Sequence, residues 1–314
     1  MDASSSAAGE IITVDCRYMG QEGIGCVYLL IEQGECAIIE ASTAHATPLL
    51  LDALASHGLE PDAVRYLFLT HVHLDHAGGA GELLAHCPNA SVLVHSRGAI
   101  HLANPKVLVM SARRLFGEAR FEALYGRVRP IPAHRLRTVE DGEEVRLGAR
   151  RLRCFSTRGH ANHHLVYLDE ASGALFSGDS FGAAPSFLRR EGGGPILPLT
   201  PPTEFDPVEA RRAIERIVEL RPTAVYLTHH GAYRAVEEGA QRLLAALECA
   251  SEAMQVARGL EPPAALAHCY EALHGHFERQ LVKEGIILSD SQRAILDAEL
   301  RLNAEGLVHA ARGS

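Results

Sequence analysis

Leu67-Phe68-Leu69-Thr70-His71-Val72-His73-Leu74-Asp75-His76-Ala77-Gly78-Gly79 sets three imidazoles and a carboxylate between positions 71 and 76, at the mouth of an apolar run. Turns favour Gly, Asn and Asp, and nothing in turn chemistry asks for three histidines. Metal ligation does. A strand ending in this loop splays His71 and His73 to one side, and after the chain turns Asp75 and His76 face a neighbouring point. One short peptide thereby offers ligands to two cations. Imidazole and carboxylate suit zinc, iron or manganese, with geometry rather than affinity deciding among them.

Upstream of this loop, Ile11-Ile12-Thr13-Val14 and the stretches 25–31 and 36–40 are short β-rich runs separated by Gly-containing turns, the pattern of a meander. Residues 46–57, with Leu49, Leu50, Leu51 and Leu54, read as an amphipathic helix, and 63–70 as the buried strand that delivers the loop. Downstream, 81–86 reads as helix, 91–95 as strand and 107–125 as one helix rich in Arg and apolar residues. Short strands follow around Arg135 and over 144–147, 152–155, 165–168 and 174–177, with turn signals at Asp141-Gly142 and Ser172-Gly173. They are expected to form a second sheet. After a Gly- and Pro-rich loop come a helix over 208–220 and a strand over 224–227.

Beyond Tyr233 the β signal ends. Leu243, Leu247, Ala250 and Met254 recur on one helix face, Pro262-Pro263 breaks that helix from a second over 264–283, and Ser289-Asp290 caps a third carrying Ile295, Ala298 and Leu302. The expected organisation is an α/β domain over 1–234 and a helical C-terminal extension over 235–314.

The 314 residues are 47% hydrophobic and 22% charged, ordinary values for a globular chain. The net charge of -9, with no long basic block, argues against nucleic acid as a partner. Solvated charge is the favoured reading of Arg113, Arg114, Arg189 and Arg190. No window approaches the roughly 18 apolar residues of a membrane span, and residues 1–10 read as a short disordered tail rather than a leader, so a cytoplasmic protein is expected. Seven scattered cysteines without a Cys-x-x-Cys pair suggest reduced core residues.

The His-x-His-x-Asp-His run resembles the signature of the metallo-beta-lactamase superfamily. Thr157-Arg158-Gly159-His160, Phe176-Ser177-Gly178-Asp179 and Leu227-Thr228-His229-His230-Gly231 look like its later motifs, in the right order, and the resemblance spans 11–234. It implies a four-layer αββα sandwich. It further implies that His71, His73 and His160 bind one cation, that Asp75, His76 and His229 bind another, and that Asp179 bridges them. Two divalent metal ions are thus expected, zinc first, with iron or manganese as alternatives. Asp75 and Asp179 would serve catalysis as well as ligation. His230 stands where it could protonate a leaving group or exchange roles with His229. Tyr233 could stabilise an oxyanion, though packing is the commoner use of such a residue. His163 is expected to support a ligand from outside the metal sphere, and His164 to belong to the core, while His95 and His101 read as structural or pocket-lining. Glu40 stands where the superfamily usually has Asp.

The full ligand set favours a hydrolase of a small ester-like bond, such as a thioester or lactone, acting through a hydroxide held at a dinuclear site. Its expected partner is a small molecule, and a homodimer is compatible with the extension. A β-lactamase role fits poorly, because Asp75 and Asp179 occur together, and the 50-residue step from Asp179 to His229 is too short for a nuclease insertion. The alternatives are an iron-dependent persulfide dioxygenase using two His and one carboxylate, or a metal-binding scaffold without turnover. The motifs His-Leu-Asp-His-Ala-Gly-Gly, Gly-His-Ala-x-His-His and Thr-His-x-Gly look most like those of a group of bacterial and archaeal hydrolase-like proteins. Such kinship names a fold and a site, but no substrate.

Overall fold

A computed structural model describes residues 9–202 and 204–313. The N-terminal tail expected to lack structure lies, through residue 8, outside the described residues. The chain forms two compact units, Met1–Ser156 with Leu165–Phe176, and Thr157–His164 with Ser177–Ser314.

The first unit opens with β1 (Glu10–Asp15), β2 (Cys26–Glu32) and β3 (Glu35–Ile39), an antiparallel meander in which Leu30 faces Ala37 across the ladder. After α1 (Thr47–Ser56), β4 (Val64–Phe68) joins parallel to β3. Beyond the His-rich loop come α2 (Leu74–Ala77), α3 (Ala80–His86), β5 (Ser91–Val94), α4 (Ser96–Ala103), α5 (Lys106–Phe116), α6 (Glu118–Tyr125) and β6 (Leu136–Thr138). The sheet runs in the order β1 to β6, parallel from β3 onward. In β3 and β5 the apolar residues run on without alternation and are buried, as strands covered on both faces require. On one face Leu67, Val92 and Val94 join Leu50, Leu54, Leu83 and Leu84 from the helices in one core.

The other face meets an antiparallel set, β7 (Glu144–Leu147), β8 (Arg150–Ser156), β9 (Leu165–Asp169) and β10 (Ala174–Gly178). Tyr28 packs on Phe176 with ring centroids 5.3 Å apart, and Phe68 on Tyr167 edge to face at 5.0 Å. This contact has a polar end. The buried Tyr167 hydroxyl donates to the Leu69 carbonyl at 2.6 Å, and the Leu165 amide donates to the Thr70 carbonyl at 2.7 Å. The backbone just ahead of His71 is therefore pinned from the facing strand.

In the second unit, Asp206 caps α7 (Pro207–Glu219), accepting from the amides of Val208 and Glu209 at 2.9 and 3.1 Å. A hairpin of β11 (Ala224–Leu227) and β12 (Gly231–Tyr233) follows, then α8 (Val236–Ala257), α9 (Pro262–Lys283) and α10 (Asp290–Ala311). The stripe Leu243, Leu247, Ala250 and Met254 is buried as its spacing requires, and Ser289 starts α10 in a capping box with Gln292. Among the described residues, no helix is long and apolar enough to cross a membrane.

Three expectations need correction. The strand near Arg135 belongs to the first sheet, where β6 pairs parallel with β5, because the helices between them carry the chain back over that sheet. The helix expected over 107–125 is two helices, parted at Gly117, whose φ of 77° is a left-handed conformation that ends α5. The compact units do not part at residue 234. The C-terminal helices share their unit with α7 and the hairpin, and α8 packs on α7 as well as on α9 and α10.

Candidate metal centre

In the first unit the site grows from the end of β4. Thr70, His71 and His76 are fully buried, as is Glu40 just past β3. Glu40 takes a left-handed φ of 71°, and the backbone around it backs the His-rich loop: the Ala41 amide donates to the His76 carbonyl at 2.9 Å, and the Gly79 amide to that of Ser42 at 2.9 Å. Glu40 Oε1 accepts from the Thr70 hydroxyl at 2.5 Å and from His76 Nδ1 at 3.0 Å. With its proton given to Glu40, Thr70 Oγ1 is an acceptor for His71 Nδ1, 3.1 Å away. One buried carboxylate thus sets the protonation of two imidazoles, directly for His76 and through a hydroxyl for His71. Glu40, His71 and His76 present ligand atoms within 4.8 Å of one another. The His71 ring packs against those of His73 and His76, with centroids 4.4 and 4.1 Å apart. Asp75 Oδ2 lies 3.6 Å from His76 Nε2.

In the second unit, Asp179 follows β10 and its two oxygens face two imidazoles: Oδ2 lies 3.2 Å from His160 Nε2, and Oδ1 3.6 Å from His229 Nε2. His160 Nδ1 lies 3.2 Å from the Leu199 carbonyl. The His229 carbonyl accepts from the Ala184 amide at 2.5 Å, which ties the end of β11 to the segment after Asp179.

The donor set can be tested for metal by its proton inventory. A carboxylate or carbonyl oxygen can only accept, so Nδ1 of His76 and of His160 carries a proton, and in the neutral ring Nε2 carries the lone pair. Each Nε2 nevertheless lies within 3.6 Å of a carboxylate oxygen. Two acceptors so placed repel unless a second proton or a cation stands with them. A divalent cation taking both imidazole nitrogen and carboxylate oxygen answers that need, and the residues fit it.

The comparisons agree with this chemistry. The sequence profile of the metallo-beta-lactamase superfamily matches residues 20–229. The chain belongs to that superfamily. A metallo-beta-lactamase fold-containing protein of Sulfurisphaera tokodaii is 32% identical over 210 residues, 64% of this chain and 75% of its own. The crystal structure of an archaeal superfamily protein from Sulfolobus tokodaii superposes with a TM-score of 0.64 at 25% identity, covering 96% of this chain and 99% of that one. A family protein from Thermus thermophilus superposes at 0.61 and 22% identity, covering 97% and 92%. The αββα sandwich with C-terminal helices is therefore the fold of this superfamily member. Hydroxyacylglutathione hydrolase of Aeromonas hydrophila is 25% identical over 204 residues, 65% of this chain, and the chain spans 60% of that enzyme's length. Superfamily relatives of this chain thus include hydrolases.

Other side chains in this metallo-beta-lactamase-fold protein fall into supporting roles. His164 is fully buried; its Nε2 accepts from the Asp179 amide at 3.2 Å, while Nδ1 lies 3.1 Å from Thr157 Oγ1 and 3.0 Å from Ser180 Oγ. Gly178-Asp179-Ser180-Phe181-Gly182 has the Gly-x-Ser-x-Gly spacing of a serine nucleophile. His164 cannot serve as its base, because the nitrogen facing Ser180 bears the proton once Nε2 accepts from Asp179. His163 Nε2 lies 3.8 Å from Glu204, whose carboxylate also accepts from the Asn162 amide at 3.0 Å. His95 caps α4 by accepting from the Arg97 amide at 3.1 Å, and burial lowers its pKa.

Tyr233 and Arg189 are corrected by their surroundings. The Tyr233 hydroxyl is fully buried, donates to the Gly194 carbonyl at 2.7 Å, and is pushed up to about 12 by burial, so the side chain is a packed post rather than an oxyanion donor. Arg189 is not solvated charge. Its guanidinium lies 5.4 Å over the Tyr233 ring and donates to the carbonyls of His230, at 2.6 Å, and Ala232, bracing the turn after His229. Beside His160 and Asp179 opens a shallow, solvent-open recess, walled by Phe205, Ile214, Leu243 and Leu247 with Arg158 also lining it.

Proposed function

We propose that His71, His73 and His160 hold one divalent cation, that Asp75, His76 and His229 hold a second, and that Asp179 bridges them in a hydrolase of small ester-like acyl bonds such as thioesters or lactones. Zinc is the expected metal, with iron and manganese as substitutes of the same ligand chemistry. The observation that carries the reading is the common orientation of His76 and His160, each with Nδ1 given to an oxygen acceptor and Nε2 turned to a carboxylate. When bound, the cations would supply a water whose pKa is lowered toward about 7, together with polarisation of the substrate carbonyl.

The chain's own residues do the rest. Glu40 holds His71 and His76 in one tautomer, and Leu199 does the same for His160. The His164 ring fixes the Asp179 backbone, which helps aim one carboxylate oxygen at His160 and the other at His229. The recess beside His160, walled in part by Phe205, Ile214, Leu243 and Leu247, is where the acyl group of the substrate would lie. His230, next to His229, is the candidate donor to a leaving group. Similarity to hydroxyacylglutathione hydrolases supports an acyl substrate on a thiol.

A panel of thioesters, lactones and phosphodiesters tests this on metal-reconstituted protein, with oxygen uptake on glutathione persulfide as the opposing arm. Metal-dependent acyl hydrolysis without oxygen uptake is expected. Oxygen consumption, or full metal loading with no turnover of any ester, would overturn it.

A further inference from the structure

The Leu199 carbonyl that receives His160 Nδ1 belongs to a segment with no regular secondary structure, Pro198-Leu199-Thr200, between two stretches of loop. What holds this segment comes from α10, 103 residues further along the chain. Asn303 is 2% exposed, and its side chain is spent entirely on that segment. Its Oδ1 accepts from the Thr200 amide at 2.8 Å and from the Thr200 hydroxyl at 3.2 Å, and its Nδ2 donates to the Pro198 carbonyl at 2.9 Å. The Thr200 hydroxyl also reaches the Asn303 carbonyl at 3.0 Å.

The amide thus imitates a neighbouring β-strand, offering one donor and one acceptor to the peptide groups on either side of Leu199. The Leu199 carbonyl is left to His160. One turn later Gly306 lets the helix touch the segment: a Cβ there would lie 1.7 Å from the Thr200 carbonyl oxygen, so only glycine permits this approach.

We infer that Asn303 is a positioning residue for His160. It fixes the Leu199 carbonyl, which holds the imidazole with Nδ1 protonated and Nε2 directed at Asp179. A side-chain amide buried only to satisfy backbone groups would have no bearing on a histidine it does not touch. The chain of contacts from Asn303 through Thr200 and Leu199 to His160 gives it one. The functional consequence rests on the proposed reading of His160 as a metal ligand, whereas the positioning itself stands in the metal-free protein.

Long-range proton–nitrogen NMR of the full-length, metal-free protein at pH 8 reads the tautomer of each histidine, with His160 assigned by its loss in His160→Gln. The wild-type His160 is expected as the Nδ1–H form. In Asn303→Ala its signals should move toward a mixture of tautomers, while those of His76, held by Glu40, stay in place, and zinc affinity should fall by about 10- to 100-fold. Asn303→Asp, which keeps the acceptor for Thr200 but loses the donor to Pro198, should fall between the two. Gly306→Ala leaves Asn303 intact and should reproduce the His160 change, so it carries the test if Asn303→Ala does not fold. An unchanged His160 tautomer in any folded variant would overturn the inference. Absence of zinc binding by the wild type would instead strike the proposed function and leave the tautomer result to decide the positioning.

Discussion

The two groups of proposed ligand side chains are built in opposite ways. In the first unit, His71, His73, Asp75 and His76 come from one hexapeptide, and a single carboxylate 30 residues ahead of Thr70, Glu40, orients two of the rings. In the second unit, His160, Asp179 and His229 come from three separate loops, and each has its own anchor: the Leu199 carbonyl, the His164 ring, and the Ala184 amide. A contiguous motif carries most of its geometry in its own backbone. Dispersed ligands borrow theirs from wherever the fold can place a hydrogen-bond partner, which here includes the last helix of the chain.

The contrast breaks most visibly at Asp179, the side chain that faces two imidazoles. Asp179→Ala should lower turnover by more than about a hundredfold, beyond what loss of an outer partner costs, and elemental analysis should show bound metal depleted. Near-normal activity would remove it from the site. At Glu40 the effect should be smaller and shared. Glu40→Gln keeps the shape but weakens the acceptor, and should cost about 10- to 100-fold in zinc affinity, disturbing His71 and His76 together in NMR spectra while His160 stays unchanged. His230→Ala should leave metal content intact, and loss of one equivalent would transfer the last ligand position from His229 to His230.

The supporting cores should respond alike. Leu67→Ala in the first unit and Leu247→Ala in the second, each removing a buried side chain, should lower stability in urea by about 2–5 kcal/mol. Tyr233→Phe should change activity by less than twofold, and cost about 1 kcal/mol for its lost hydrogen bond. The smallest effects belong to the cysteines. Burial pushes Cys36 and Cys154 up to about 12 from 9.0, so their thiols should resist Ellman's reagent in the folded protein at pH 8. The same raised values mean the unfolded chain releases these protons first. Stability should therefore decline as pH rises from 9 toward 12, and rapid labelling at pH 8 without unfolding would contradict their burial.

How much of this could be read from the sequence follows the same division. The strand that leads into the His-rich loop, the stripe of α8 and the Ser289 cap are local patterns, and the chain folds as they indicate. The break at Gly117 was hidden because a single glycine inside an Arg- and Leu-rich run interrupts little of the helical periodicity. β6 pairs in the first sheet, contrary to expectation, because a three-residue strand does not encode its pairing partner. Glu40 was visible as a charged residue closing an apolar strand, but its hold on His76 depends on a left-handed backbone turn that no spacing reveals. Leu199 and Asn303 left no local signal, since a backbone carbonyl has no residue type and an asparagine in a C-terminal helix reads as solvent-facing until its neighbours are known.

Equilibrium zinc binding to the metal-free protein, followed by calorimetry and elemental analysis, tests the central claim most directly. Two equivalents should bind, with the second lost in His229→Ala. Failure to bind zinc, iron or manganese, or two equivalents retained by Asp179→Ala and His229→Ala alike, would contradict a dinuclear centre built from these side chains.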